Sequence, residues 1–266
     1  MATQLVDGPH GHPVAFDVQG GGPLAVLVHG ITENRTSWDP VTEALATQRT
    51  VVRVDLPGHG ESGPGVDYSL QESAGAVAAV ALEVAGQLGR TDPPDVVGHS
   101  LGGTVVSAYA SAFATRSVVN VDQPLRLAAF QDGLRAMESA LRGEDFDDAI
   151  AAMFSAMAGP LGADEIARIG EIRRPAQEVV LAIWAPVLTA PPEALDALVT
   201  EVGATITAPY LALHGIDPGP DYSAWLAGVL PNTNLTYEMW ADHGHYPHLV
   251  DPHRFVELVT GFWGDA

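Results

Sequence analysis

The sequence predicts an α/β fold whose sheet is mostly parallel. Valine-rich apolar runs recur along the chain and end at a glycine or a polar residue, as in LAVLVHG (24–30) and DVVGHS (95–100). Segments with apolar residues at helical intervals lie between these runs, for example LQESAGAVAAVALEVAGQL (70–88). Strands that are apolar on both faces and alternate with helices are typical of βαβ units in a parallel sheet.

The elements follow in a regular order over the first 124 residues. HPVAFDVQG (12–20) alternates like a half-exposed strand, and a GGGP turn follows it. The pattern then predicts a buried strand at 24–30, a helix at 38–48, a buried strand at 50–60 that runs into a Gly-rich loop, the helix at 70–88, a strand at 95–100, a helix at 102–114 and a strand at 117–123.

The alternation stops between residues 125 and 207, where we expect a helical insert. FDDAIAAMFSAMAG (146–159) and PAQEVVLAIWAPVL (175–188) both carry apolar residues at helical intervals. Strands at 208–215 and 234–240 and a final helix at 252–263 resume the pattern. The predicted domains are a core of residues 1–124 and 208–266 and a helical cap insert of residues 125–207.

Charge balance and cysteine content exclude several classes of function. Twelve basic against 33 acidic residues give a formal charge of −21, which repels nucleic-acid phosphates and anionic lipids, so we expect neither partner. The absence of cysteine excludes disulfides, thiolate nucleophiles and Cys-based zinc sites. No secretory signal is visible, and no apolar run approaches the roughly 18–20 residues that span a bilayer. We expect a cytoplasmic protein without a metal or other cofactor.

The motif GHSLGG (98–103) is the strongest indication of chemistry. A strand that turns sharply into a helix leaves its turn residue exposed at the carboxyl edge of the sheet, and the residues two before and two after it must be very small. Gly98 and Gly102 meet this requirement around Ser100. The motif therefore predicts Ser100 as a nucleophile, while the Leu101 amide at the start of the next helix points at the position of an anion.

A serine hydroxyl needs a base, and His245 is the predicted one. It lies in ADHGHYPHLVDPHRF, on a Gly-containing loop between the last strand and the last helix. We expect His243, His248 and His253 to be surface or capping histidines. A zinc site is not expected, because glycine and proline interrupt the spacing that its ligands need. His99, inside the motif, is expected to pack into the sheet.

The carboxylate that orients the histidine has two candidates. Asp217 follows the penultimate strand and gives the chain order Ser, Asp, His, so it is favoured. Asp122 ends the strand after the nucleophile helix and also reaches this edge of the sheet. For each, the alternative role is a loop-capping carboxylate. An early HG pair (29–30) ends another strand, and the Ile31 amide after it is predicted to be the second oxyanion donor.

These motifs together resemble the α/β-hydrolase superfamily. The resemblance rests on HG (29–30), DLPGHGESG (55–63), GHSLGG (98–103), the Asp-Pro pair (217–218) and GHYPHLVDPHRF (244–255), and it covers the core nearly end to end. It implies a mostly parallel eight-stranded sheet, a helical cap after the sixth strand, a triad of Ser100, Asp217 and His245, and an oxyanion hole of the Ile31 and Leu101 amides.

In one respect the chain departs from the family pattern. Family members usually have two residues between the glycine and the acid, whereas Gly215 and Asp217 here enclose one. Certain relatives, among them some dehalogenases and lactone hydrolases, place the acid after strand six. Asp122 therefore remains open as the alternative acid.

The predicted reaction is hydrolysis of a mainly apolar carboxylic ester or lactone. We expect this small-molecule substrate to be the partner of the protein. Relatives that are dehalogenases or epoxide hydrolases use Asp where this chain has Ser100. Apolar residues of the insert, among them Phe130, Met153 and Trp184, are candidates to line the cleft, although most such residues form the core of a cap. The alternatives are a carbon–carbon bond hydrolase with the same triad and a small-molecule receptor that retains the hydrolase site.

Overall fold

The computed structural model describes residues 1–265 and contains one eight-stranded sheet. The strands lie in the order β1-β2-β4-β3-β5-β6-β7-β8; β1 and β2 are antiparallel to their neighbours, and the other pairs are parallel. The strands are β1 (Gln4–Asp7), β2 (Pro13–Gly20), β3 (Leu24–Val28), β4 (Thr50–Val54), β5 (Asp95–His99), β6 (Ser117–Val121), β7 (Tyr210–His214) and β8 (Leu235–Met239). The predicted α/β class, with its mostly parallel sheet of eight strands, is confirmed.

Helices cover both faces of this sheet. They are α1 (Asp39–Leu45), α2 (Leu70–Leu88), α3 (Leu101–Ala112), α4 (Ala128–Arg142), α5 (Phe146–Met157), α6 (Ala163–Ile172), α7 (Gln177–Thr189), α8 (Pro192–Thr205), α9 (Tyr222–Val229), α10 (Pro247–Val250) and α11 (Pro252–Asp265). Short 3₁₀ helices lie at Pro9–Gly11 and Arg35–Trp38. Helix α2 has the bounds that its apolar spacing predicts. The Ser69 side chain accepts a bond from the Glu72 amide at its start, and Gly89 ends it in a left-handed conformation.

Strands β3 to β7 are buried on both faces, which is why they read as continuous apolar runs. In β3, Val26 and Val28 join the core cluster that includes residues of α2 and α3, whereas Ala25 and Leu27 join the cluster that includes residues of α1 and α11. Successive side chains of a strand point to opposite faces. The central strands are therefore held between two apolar layers, which fixes the register of their carboxyl ends.

Five helices, α4 to α8, follow one another between β6 and β7, and residues 122–209 contain no strand. Residues of α4 to α7 form an apolar cluster that includes Phe154 and Trp184, together with Ile31 and Tyr246 of the loops at the sheet edge and Leu249 of α10. The helical segment therefore packs directly on the loops in which the candidate site residues lie.

Two features of the N-terminal region differ from the sequence-based expectation. Strand β1 was not predicted, because four residues with two half-buried side chains give little periodic signal. Strand β2 is not half-exposed along its length. Its Asp17 is buried and paired with Arg35 and Arg53, an arrangement that depends on residues distant in the sequence.

Within residues 1–265, no single helix has the length and apolar character needed to cross a membrane. Helices α7 and α8 meet those criteria only when taken together, and a bend of 103° separates them.

Candidate active site

Ser100 occupies a strained turn between β5 and α3. Its φ of 52° and ψ of −124° lie outside the regions that L residues ordinarily adopt. A Cβ on Gly98 would lie 2.0 Å from the Gly102 carbonyl oxygen, and a Cβ on Gly102 would lie 2.2 Å from the Val28 carbonyl oxygen. Only glycine fits at either position, so the small residues that the sequence places around Ser100 are needed for the turn to form.

Asp122 is the carboxylate that contacts His245. His245 Nδ1 donates to Asp122 Oδ2 at 2.7 Å. The other Asp122 oxygen accepts from the amides of Gly215 at 2.8 Å and Ile216 at 3.1 Å. Burial alone would raise the pKa of Asp122, but the bonds from His245 and from these two amides outweigh it and lower that pKa below its usual value. A buried anion in this position fixes which imidazole nitrogen carries the proton.

The sequence favoured Asp217 as the carboxylate that contacts His245, and this prediction is wrong in this structure. The Asp217 side chain accepts a bond from the Gly219 amide at 2.8 Å, in an exposed turn after β7. Asp217 therefore has the loop-capping role that the sequence left open for one of the two carboxylates. Asp122, the alternative acid, lies directly after β6 and has a φ of 50°.

Contacts from three directions fix the His245 loop between β8 and α10. The His245 amide donates to the Met157 carbonyl of α5 at 2.8 Å. His99 Nε2 donates to the His245 carbonyl at 2.8 Å, and the Phe154 ring centroid lies 6.4 Å from that of His245. His245 Nε2 is buried and makes no hydrogen bond within residues 1–265. This nitrogen is therefore available to hydrogen-bond a neighbouring group.

Ser100 lies at the same sheet edge as this pair. Its amide donates to the carbonyl of Val121, the residue before Asp122, at 3.0 Å. Its neighbour His99 packs against His245 with ring centroids 4.7 Å apart. Because Nε2 has no partner among residues 1–265, it is not hydrogen-bonded to the Ser100 hydroxyl in this structure.

The two predicted oxyanion donors flank the turn. Gly30 approaches Ser100 so closely that a Cβ on it would lie 3.3 Å from the Ser100 Cβ. Ile31 follows with its side chain buried, and Leu101 begins α3. Neither the Ile31 nor the Leu101 amide donates a hydrogen bond within the described part of the chain. Both amides are therefore unused donors next to the Ser100 turn.

Sequence reasoning missed a buried polar group behind the site. Glu33 Oε1 accepts from Tyr246 Oη at 2.9 Å and lies 3.4 Å from an Arg173 nitrogen, while Glu33 Oε2 is 3.8 Å from His99 Nδ1. Burial alone would raise the pKa of Glu33, but the contacts with His99, Arg173 and Tyr246 outweigh it and hold that pKa well below its usual value. A carboxylate three residues after the HG pair was the available signal.

The other histidines have different surroundings. His253 is 84% exposed, as expected. The expectation of a surface or capping role is wrong for His248, whose ring is buried between Trp38 and His99. Packing of α10 against α1 and α11 accounts for this burial, and these contacts join residues that are distant in sequence.

The predicted substrate-binding residues all lie in the helical segment. Trp184 is buried in the cluster that contains Ile31, and Met153 is half-buried against that cluster. Phe130 is 38% exposed and meets Trp184 edge-on at 5.9 Å. Phe154 of α5 also lies beside His245, and the Arg173 guanidinium lies 3.9 Å from the centre of the Phe154 ring.

Comparison with known proteins places this geometry in a family. Residues 25–258 match the model described as the alpha/beta hydrolase family. The pimeloyl-[acyl-carrier protein] methyl ester esterase of Methylococcus capsulatus is 38% identical over 106 residues, which cover 40% of this chain and 38% of that protein. The matched parts of the curated relatives span 18% to 38% of their lengths.

Solved structures agree with this chain over nearly its whole length. The enol-lactonase of Burkholderia xenovorans has a TM-score of 0.76 at 20% identity, covering 97% of this chain and 99% of that one. An esterase of Thermogutta terrifontis has a TM-score of 0.77 at 23% identity, covering 100% and 99%. At these identities the likeness concerns the fold. With the family match over 25–258, the chain belongs to the α/β hydrolase family.

Proposed function

We propose that this protein is a serine hydrolase that cleaves a mainly apolar carboxylic ester or lactone through an acyl-enzyme. The observation that carries the proposal is the orientation of His245. Its Nδ1 is bound to the buried Asp122, its Nε2 has no partner among residues 1–265, and its ring packs 4.7 Å from that of His99, the residue before Ser100. A serine hydroxyl, a base and an orienting carboxylate are the parts that acyl transfer requires.

In the first half of the reaction, Ser100 Oγ attacks the carbonyl carbon of the ester. The hydroxyl proton passes to His245 Nε2, and Asp122 stabilises the resulting imidazolium. The carbonyl oxygen takes up the negative charge and accepts hydrogen bonds from the Ile31 and Leu101 amides. The tetrahedral intermediate then collapses, and the alkoxide leaves as an alcohol with the proton from His245.

In the second half, water replaces the alcohol. His245 removes a proton from water, which attacks the acyl carbon bound to Ser100. The same two amides hold the oxyanion, and the bond between the acyl carbon and Ser100 breaks. Ser100 Oγ recovers its proton from His245, and the carboxylic acid is released. A lactone follows the same steps, with the alcohol remaining attached to the acid.

The surroundings of the oxyanion residues favour an apolar substrate. Ile31 belongs to the same apolar cluster as Phe154 and Trp184, and Leu101 packs against that cluster. The half-buried arginine in this region, Arg173, is already paired with the buried Glu33. The charge balance of the site therefore does not call for an anionic substrate.

An anionic substrate tail would instead favour the carbon–carbon bond hydrolase. Two arginines of residues 125–207 that could bind such a tail have surface partners instead: Arg126 pairs with the exposed Asp221, and Arg142 pairs with Glu138 of its own helix. Neither observation supports that alternative over ester hydrolysis. The relatives named above include an ester hydrolase and a lactone hydrolase, in line with the proposed substrate class.

A panel of p-nitrophenyl esters and lactones of graded acyl length tests the proposal. We expect turnover of the neutral apolar members, and we expect Ser100→Ala to abolish it. Ser111→Ala, on the same helix α3, is the matched control because its hydroxyl bonds only the Ala108 carbonyl among the described residues. Unchanged turnover in Ser100→Ala would contradict the proposal, as would binding without turnover across the whole panel, which is the behaviour of a receptor.

A further inference from the structure

The helical cap holds the loop that carries Ile31 by polar bonds as well as by apolar packing. This loop, residues 29–38, connects β3 with α1, and residues 168–174 at the end of α6 lie against it. The Arg174 amide donates to the Thr32 carbonyl at 2.8 Å. In the opposite direction, Asn34 Nδ2 donates to the Ile172 carbonyl at 3.3 Å. Loop and segment therefore restrain each other.

Arg168 strengthens this connection with a charged group. Its Nη1 donates to the Thr36 carbonyl at 2.8 Å, and its Nη2 donates to the Ser37 carbonyl at 3.1 Å. Glu165, one turn earlier on α6, pairs with the same guanidinium and fixes its plane. Hydrogen bonds with an ionised donor are roughly twice as strong as neutral ones. One side chain of the cap thus holds two successive carbonyls of the loop.

The loop needs such a restraint because its backbone is strained. Thr32, directly after Ile31, has a φ of 67°, a conformation that is unfavourable for a β-branched residue. Strain of this kind persists only where the surrounding structure imposes it. The carbonyl of Thr32 is the one that Arg174 binds. The contacts from the cap therefore act on the part of the backbone that orients the Ile31 amide.

We propose that Arg168 is a positioning residue that, from the cap, keeps the oxyanion hole in its productive geometry. This inference rests on the proposed function. It assigns the cap a part in turnover in addition to substrate choice, since a displacement of α6 moves an oxyanion donor. Arg168 itself does not touch the substrate.

The test compares Arg168→Met with Arg168→Lys. Hydrolysis of p-nitrophenyl butyrate gives kcat and KM, with kcat expressed per Ser100 that a fluorophosphonate can label. A trifluoromethyl ketone, which forms a tetrahedral adduct with a catalytic serine, reports the oxyanion hole separately. Removal of one oxyanion donor costs about 10²–10³ in rate, so a misplaced donor is expected to cost about 10–10² in kcat.

For Arg168→Met we expect this loss in kcat with little change in KM, and weaker ketone binding by a similar factor. Arg168→Lys should be intermediate, because an ammonium can satisfy one carbonyl but lacks the planar fork. Arg142→Met on α4 is the matched control, since Arg142 pairs only with Glu138 among the described residues. Its kcat and ketone affinity should equal those of the wild type.

Asn34→Asp gives an independent test if Arg168→Met does not fold. Aspartate retains the acceptor for the Thr36 amide but cannot donate to the Ile172 carbonyl, so the same loss of kcat and ketone affinity is expected in milder form. Wild-type kcat and ketone affinity in folded Arg168→Met, or in Asn34→Asp, would overturn this inference and leave the proposed function standing. A wild-type protein that neither cleaves esters nor reacts at Ser100 would overturn the proposed function as well.

Discussion

Asp122 accepts a hydrogen bond from His245 Nδ1 at 2.7 Å, although 123 positions separate the two residues in the chain. The bond joins the end of β6 to the loop after β8, across the carboxyl edge of the parallel sheet. Two backbone amides bind the other carboxylate oxygen. Asp122 is therefore held in place by the fold itself, which would limit the reorganisation that the proposed reaction needs.

The first prediction concerns the two candidate acids. Asp122→Asn should reduce kcat for p-nitrophenyl butyrate by about 10⁴, because an amide favours the wrong imidazole tautomer and does not stabilise the imidazolium. Asp217→Asn, the matched control in the exposed turn, should keep kcat close to that of the wild type. A larger loss in Asp217→Asn than in Asp122→Asn would assign the role to the other carboxylate.

The sequence identified both carboxylates at this sheet edge but favoured Asp217 over Asp122, the one that contacts His245. Asp122 and Asp217 both follow strands that end at the same sheet edge, so topology brings both near His245. The choice depends on the path of each loop. Asp122 adopts a positive φ directly after β6, whereas Asp217 turns back onto its own loop at Gly219. Neither path leaves a periodic signal in the sequence.

The fold was more predictable than the polar contacts. The buried strands and α2 were identified because apolar spacing reflects burial directly. The pairing of Asp17 with Arg35 and Arg53, and the contacts of Glu33 with Arg173, join residues that are distant in sequence. Such pairs form only once the chain has folded, so no local sequence pattern predicts them.

The second prediction concerns the glycines of the Ser100 turn. Gly98→Ala places a Cβ 2.0 Å from a carbonyl oxygen, so we expect a loss of about 3 kcal/mol or more in the free energy of unfolding, at the upper end for overpacked cores. Gly86→Ala is the control in the interior of α2, where a Cβ meets nothing within 4 Å. It should gain about 0.5–1 kcal/mol. Urea denaturation of both variants measures the difference.

The third prediction concerns stability in mild acid. Burial lowers the pKa of His59 to about 3 and that of His214 to about 4. Below the unfolded-state pKa of about 6.5, these imidazoles bind protons in the unfolded chain but not in the folded one. Their contribution is therefore complete above this pH, and it is lost as the pH falls from 6.5 towards these folded-state values.

The variant His214→Phe isolates one of these groups. The ring is fully buried among Tyr222 and Tyr237, so phenylalanine can replace it without removing a hydrogen bond among the described residues. Between pH 8 and pH 5.5, the variant should lose roughly 1 kcal/mol less of its free energy of unfolding than the wild type. Equal losses in urea titrations at the two pH values would show that burial does not lower the pKa of His214 in the folded protein.

The most direct test of the central claim, that Ser100 is the nucleophile of a hydrolase, is to identify the residue that a fluorophosphonate modifies. The probe phosphonylates an activated serine, and mass spectrometry of the digested protein locates the adduct. We predict a single adduct on the peptide that contains Ser100, formed at a rate that falls sharply in Asp122→Asn and not in Asp217→Asn. An unmodified Ser100 in the folded protein, or an adduct on a different residue, would contradict the account.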